Sequence, residues 1–232
     1  MKTEITDRAY LQMAYTLAGL ARGWACPNPY VGAVIVKNSR VIGHGFHKKA
    51  GLPHAEILAL QMAGGAAKNA TIYLTLEPCV HWGRTPPCIG SLIDSGIRRA
   101  VISAPDPNPK VFKRGIRALR EAGIKVDVGL MEKRNRRLNE VYYKYIRTGI
   151  PFVTIKSAAS LDGKIATRLG SSQWITGPDT RRFVHLLRGE QAAIMSGINT
   201  LIRDNPRLTV RHPYWKGKAT ARIILDTHLR FP

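Results

Sequence analysis

Strand-length apolar runs alternate with stretches of helical period along most of this chain, and that alternation points to a layered α/β sandwich. VGAVIVK (Val31 to Lys37) reads as a buried strand, NSR as a turn and VIGHGFH as a second strand, which together make a hairpin. HAEILALQMAG opens a helix at His54, with Ile57, Leu60 and Gln61 following at three- and four-residue steps. TIYLTL (Thr71 to Leu76) is a strand, Cys88 to Ser95 a helix, and RRAVISA a strand. GIRALREAG is a helix stopped by Gly123, and KVDVGL is a short strand. Ahead of the hairpin, Thr6 or Asp7 caps a helix to about Arg22, with Leu11, Tyr15 and Ala18 on one face. After the last strand, one helix is expected from about Met131 to Arg147.

RTGIP (Arg147 to Pro151) reads as a linker, so residues 1–147 form a first domain and residues 151–232 begin a second. The second pattern holds a strand in FVTIKSAAS, a helix near Asp179 to Arg188, and strands in AAIMSG and ARIILD. Two or three strands with one or two helices make a poor independent core. The second domain is therefore expected to be incomplete.

A chain of 232 residues can bury a core without disulfides. Its three cysteines are an odd, sparse set, which argues for a reducing compartment and for metal binding or reactivity. No apolar run approaches the roughly 20 residues of a membrane span. The N-terminal MKTEITDRAYLQMAY carries acidic residues and no signal-peptide core, so the cytoplasm is the expected location. The net charge is +21, with 23 basic against 10 acidic residues in 1–150 and 13 against 5 in 151–232. A surplus spread this evenly fits anionic ligands such as phosphates, or nucleic acid. The densest run, KRNRR (Lys133 to Arg137), is expected to be mostly a solvated helix face. Cys26, beside Pro27, reads as a buried small residue.

The chemistry concentrates in TLEPCVHWGRTPPC (Thr75 to Cys88), taken with His54 and Glu56. His54 lies at a helix start, Cys79 follows a strand, and Cys88 opens another helix. One imidazole and two thiolates are three soft ligands for one tetrahedral zinc, with the fourth position left for water, which is the catalytic pattern. Helix N-termini favour the thiolates. Glu56 can reach that water and shuttle protons without binding the metal. His-x-Glu followed by Pro-Cys is the zinc-deaminase signature, except that eight residues separate the cysteines here rather than two. The longer loop carries His81, Gly83, Arg84, Thr85 and Pro86, polar groups suited to gripping a phosphate or ring.

PNPYVGAVIV, GHGFHKKAGLPHAE, TLEPCVHWGRTPPC, DPNP, RTGIPFVTIKSAASLDGKIAT, SSQWITG and DNPRLTVR, in that order, make the chain resemble the bifunctional riboflavin-biosynthesis deaminase/reductase family. The resemblance implies a cytidine-deaminase-like three-layer sandwich followed by a partial dihydrofolate-reductase-like domain. It implies hydrolytic deamination of a phosphorylated diaminopyrimidine with one zinc per chain. Ligands would be His54, Cys79 and Cys88, the catalytic residue Glu56, and the substrate contacts Asn28, His47, His81, Arg84, Asp106 and Asn108. In the reductase region it implies cofactor contacts at Ala158, Trp174, Thr200 and Asp204. Substrate contacts there would be Lys156, Ser172, Arg188, Leu208 and Arg211.

The family continues past a strand like RIILD into a glycine-rich NADPH phosphate loop. NADPH is therefore expected only for a full-length reductase domain, and this polypeptide by itself is expected not to bind it properly. Related deaminases commonly assemble, so a homo-oligomer is expected. Phe112 and Lys113 stand where the family has a small residue and a glycine. Neither takes positive φ cheaply, so a reshaped loop is expected there. A nucleic-acid deaminase, suggested by the charge, and a decayed enzyme kept as a basic binding protein are the alternatives. The long loop between the cysteines and the reductase-like tail disfavour the first, and the intact metal set disfavours the second.

Overall fold

The computed structural model of the chain describes residues 2–231, in two compact units, Met1–Phe152 and Val153–Pro232. The first unit is built on a five-stranded sheet of order β2-β1-β3-β4-β5. β1 (Gly32–Lys37) pairs antiparallel with β2 (Arg40–Phe46) and with β3 (Thr71–Leu74). β3, β4 (Arg99–Ile102) and β5 (Lys125–Val128) run parallel. The β1–β2 turn places Asn38 and Ser39 at φ 50° and 61°, the left-handed pair that a tight hairpin requires.

The period of two sorts each strand onto two cores. Ala33, Ile35, Ile72, Leu74, Ala100 and Ile102 face one side, and there they meet Ala55, Ala59 and Ala63 of α2 (Ala55–Ala63). Leu92 of α3 (Cys88–Asp94) and Ile116 and Leu119 of α4 (Arg114–Glu121) complete that layer. Val34, Val36, Tyr73 and Val101 face the other side, against Leu11 and Ala14 of α1 (Lys2–Gly19). The expected three-layer sandwich is therefore formed.

Four details depart from the sequence reading. α1 begins before Asp7, which is a buried interior residue: it accepts from Tyr73 Oη at 2.8 Å and from Arg99 at 2.7 and 3.0 Å. α2 forms where expected, but its fully buried apolar face is alanine, with Leu60 packed partly buried beside it, because the helix lies against glycines of β2. A Cβ on Gly43 would come within 2.2 Å of the Ala59 carbonyl, and one on Gly45 within 2.6 Å of that of Ala55. The expected 131–147 helix is two, α5 (Glu132–Leu138) and α6 (Glu140–Thr148), broken at Asn139. Asn139 accepts from Tyr30 N–H at 2.7 Å and donates to the Tyr30 carbonyl at 3.1 Å. Cys26 is exposed, since Ala21 and Ala25 take the inward positions of that turn.

The second unit holds α7 (Pro178–Glu190), β6 (Ala193–Gly197), α8 (Ile198–Asp204) and β7 (Ala221–Leu225), with β6 and β7 paired parallel. The strand expected in residues 152–160 is irregular, exposed backbone, because it has no strand partner among the described residues. α8 ends at Asp204, with Asn205 as its C-cap at φ 40°.

Candidate active site

The zinc-deaminase residues converge although they stand far apart in the chain. His54 is the N-cap of α2 and makes no side-chain cap, so its ring is free for other work. Cys79 follows β3, and Cys88 is the first residue of α3. Their ligand atoms all lie within 4.8 Å of one another. His54 Nδ1 is 2.9 Å from Cys88 Sγ and 3.5 Å from Cys79 Sγ, and the thiols are not joined in a disulfide. The Cys88 backbone N–H donates to Cys79 Sγ at 3.3 Å, which ties the start of α3 to the second thiol.

These residues fit the ion that the signature implies. An imidazole nitrogen and two sulfurs around one point are a zinc donor set with an open fourth position. The Cys79 thiol is held down to about 4, chiefly by the hydrogen bond from the Cys88 thiol, against burial and with help from His54. The Cys88 thiol is pushed up by that same bond, by burial and by Glu56. Two sulfurs sharing a proton this way invite replacement of the proton by a cation. The far nitrogen of His54, Nε2, lies 3.0 Å from Thr85 Oγ1, so the loop between the cysteines also orients the ring.

Glu56, in the first turn of α2, is only 4 % exposed. Burial, then the Cys79 charge, pushes its carboxyl up to about 7, against the opposing charge of His54. A carboxyl poised near neutrality is suited to taking and returning a proton.

His54, Glu56 and Cys79 line a cavity of about 320 Å³, within the size range of small-molecule sites, and Cys88 lies buried behind them. All six residues expected to contact substrate line it too. Asn28 Nδ2 lies 2.9 Å from His47 Nε2, and His47 Nδ1 lies 3.3 Å from the Pro53 carbonyl. Burial, more than its neighbours, pushes the His47 ring down. Arg84 stands exposed at the rim, while His81 Nδ1 is buried and takes no partner among the described residues. Asp106 and Asn108 also line the cavity. Lys113 itself adopts the left-handed conformation, at φ 59°. Gly115 is required: a Cβ there would meet the Pro78 carbonyl at 2.3 Å, just before Cys79.

The sequence reading missed three supports of this site. Glu77, 4 % exposed, accepts from the N–H groups of Asp106 (3.1 Å), Lys113 (3.0 Å), Gly115 (2.9 Å) and Ile116 (3.1 Å). It thereby fastens the loop after β4 to the cysteine segment. Its only sequence signal is an acid placed directly between an apolar strand and Pro-Cys. Asn135 is fully buried within KRNRR, donating to the Thr75 carbonyl and accepting from Tyr143 Oη at 3.1 Å, so that run is not all solvated face. Tyr142, on α6, is the third.

In the second unit the expected cofactor and substrate contacts are less gathered. Lys156, Ser172 and Trp174 are exposed and Ala158 is half-buried, all on irregular backbone, with Arg181 stacked 4.4 Å from the Trp174 ring. Thr200 and Asp204 lie one turn apart on the exposed side of α8. Arg188 and Arg211 do meet, around Thr209: Arg188 Nη1 donates to its carbonyl at 3.0 Å and Arg211 Nη1 to its hydroxyl at 3.2 Å. Leu208 is the neighbouring residue, at φ 47°.

Fold and site together define a zinc-type deaminase unit of the cytidine deaminase class joined to a second α/β region. The family model for the cytidine and deoxycytidylate deaminase zinc-binding region matches residues 4–104, and that for the RibD C-terminal domain matches residues 151–232. The riboflavin biosynthesis protein RibD of Aquifex aeolicus is 50% identical over 97% of this chain and 63% of its own length. That of Escherichia coli is 46% identical over 97% of this chain and 64% of its own length. Among solved structures, Acinetobacter baumannii RibD aligns with a TM-score of 0.92 at 42% identity, covering 99% of this chain and 66% of that one. A Thermotoga maritima diaminohydroxyphosphoribosylaminopyrimidine deaminase/5-amino-6-(5-phosphoribosylamino)uracil reductase aligns at 0.90 and 40% identity, covering 97% and 64%. The chain belongs to the RibD family, and it spans somewhat under two thirds of the length of these curated relatives.

Proposed function

We propose that the first unit is a zinc-dependent deaminase of riboflavin biosynthesis. It would convert diaminohydroxyphosphoribosylaminopyrimidine to 5-amino-6-(5-phosphoribosylamino)uracil, consuming water and releasing ammonia. The observation that carries this reading is the meeting of His54, Cys79 and Cys88 beside a cavity that His54, Cys79 and the buried Glu56 line. Zinc held by these three residues would supply the acidity that brings a water toward neutral pKa. Glu56 takes one proton of the attacking water and passes it to the ring nitrogen, then takes the second from the new hydroxyl and passes it to the departing amine as the carbonyl forms. A C–O bond forms and the exocyclic C–N bond breaks at the same ring carbon. His81, Arg84, Asn28, His47, Asp106 and Asn108 bind and orient the substrate, and the basic surface favours its phosphate.

The reduction of the ribosyl group with NADPH is proposed only for a polypeptide that carries the rest of the reductase region. Alongside the substrate, further copies of the chain are its expected partners, and the cytoplasm its expected compartment. Glu56→Gln tests the reading. Zinc should remain at one per chain while ammonia release from the pathway pyrimidine falls about 10³-fold. Full activity in that variant removes Glu56 from the mechanism.

A further inference from the structure

Helix α6 contributes a tyrosine to the cavity whose hydroxyl donates to a buried carboxylate. Tyr142 Oη donates to Asp106 Oδ1 at 2.9 Å, and the same oxygen accepts the Asn108 N–H at 2.8 Å. Asp106 Oδ2 takes no hydrogen bond from the described residues, although the residue is only 6 % exposed and lines the cavity. Left without a protein donor beside the cavity, this oxygen is open to a donor from a ligand.

We propose that Tyr142 is a positioning residue for the deamination: it saturates one oxygen of Asp106 and presents the other to an N–H group of the aminopyrimidine ring. The hydroxyl thereby turns a carboxyl that could rotate into an acceptor of fixed direction. A ring carrying an amino donor at that edge is recognised, and one carrying a carbonyl there is repelled. The assignment rests on the reading of this cavity as an aminopyrimidine site. Burial first, then Glu77 and Cys79, push the Asp106 carboxyl up to about 6, while the Asn108 N–H and the Tyr142 O–H pull it down. Removing the tyrosine hydroxyl therefore raises it further, and the ionised acceptor is lost at a higher pH.

The test is steady-state deamination by the full zinc-loaded chain, using the pathway pyrimidine, for wild type, Tyr142→Phe, Asp106→Asn and the double variant. For Tyr142→Phe, KM is expected to rise about tenfold with kcat nearly unchanged, the worth of one hydrogen bond to a charged group. The acid limb of kcat/KM should move to higher pH, with zinc content and melting temperature as in wild type. In the Asp106→Asn background the tyrosine substitution should add nothing, because the two residues act as one. An unchanged KM and acid limb in Tyr142→Phe overturns the proposal. So does a KM rise that persists undiminished in the Asp106→Asn background, or one accompanied by lost zinc, which marks a merely structural tyrosine. A zinc-loaded wild type that releases no ammonia overturns the functional reading itself, and this assignment with it.

Discussion

Asp7 shows how one side chain can join elements that the sequence lists far apart. It stands on α1, accepts from Tyr73 on β3, and pairs with Arg99 on β4, which also pairs with Asp127 on β5 at 2.6 Å. Burial raises its carboxyl pKa, but the hydrogen bonds from Arg99 and Tyr73 and the Arg99 charge outweigh burial, so the net shift is downward. A depressed folded-state value means stability that is fully present above the ordinary aspartate pKa of about 3.9 and lost as pH falls through the folded value. Asp7→Asn should cost about 3 kcal/mol in denaturant unfolding at neutral pH, as expected when a buried pair loses one partner. The gap from wild type should close only below about pH 4. A gap that stays constant to pH 2 would show that Asp7 gives nothing through its charge. Residues of this kind are hidden in a sequence, because Asp7 at a helix start reads as a cap. His54, Glu56, Cys79 and Cys88 were legible for the opposite reason: the chemistry fixes their residue types, whatever the backbone does around them. Glu77 works only through four backbone N–H groups 29 to 39 positions away, so its own neighbourhood announces nothing. Lys113 misled by local rule, since its left-handed strain is held in place by that same carboxylate.

At the level of elements, periodicity placed every strand of the first sheet and failed at one joint. The 131–147 segment is helical on both sides, so no breaker residue marks the division at Asn139. The division comes from tertiary demand: Asn139, 2 % exposed, spends its side-chain amide on both backbone groups of Tyr30, and its backbone turns to φ −107°, ψ 23° while still bonding Asn135 and Tyr143. Tyr30 follows Asn28 and Pro29, which line the cavity, and α6 brings Tyr142 to its other wall. Asn139→Ala removes two buried hydrogen bonds and should cost about 2 kcal/mol, read as a melting temperature lower by several degrees. It should also raise KM for the pyrimidine more than it changes kcat, because it loosens two walls of the cavity and leaves the metal ligands alone. A variant with wild-type melting would mean that the helix break is set elsewhere. In the second unit the same periodic reading overcalled a strand at 152–160, because an apolar run becomes a strand only where a neighbouring strand accepts its hydrogen bonds.

On the scale of the whole molecule, the two units differ in how much they bury. Both apolar cores lie within the first unit, on the two faces of its sheet, and every candidate deaminase residue falls between Asn28 and Asp106–Asn108, with α6 closing the cavity. The second unit buries Gly189, Ile198 and Trp215 and leaves Ile155, Leu161 and Leu169 at least 90 % exposed. A two-stranded sheet with that little burial cannot stabilise itself alone. The first unit should therefore stand without the second. A polypeptide of residues 1–152 is expected to unfold in one cooperative transition, bind one zinc, and keep kcat/KM for the pathway pyrimidine within about threefold of the full chain, as an independent domain does. Because its net charge of +13 for residues 1–150 still favours an anionic substrate, kcat/KM should fall with added salt in both polypeptides alike. If residues 1–152 hold zinc and yet lose the activity, the deaminase site draws on the second unit, and the division of labour at residue 152 is wrong.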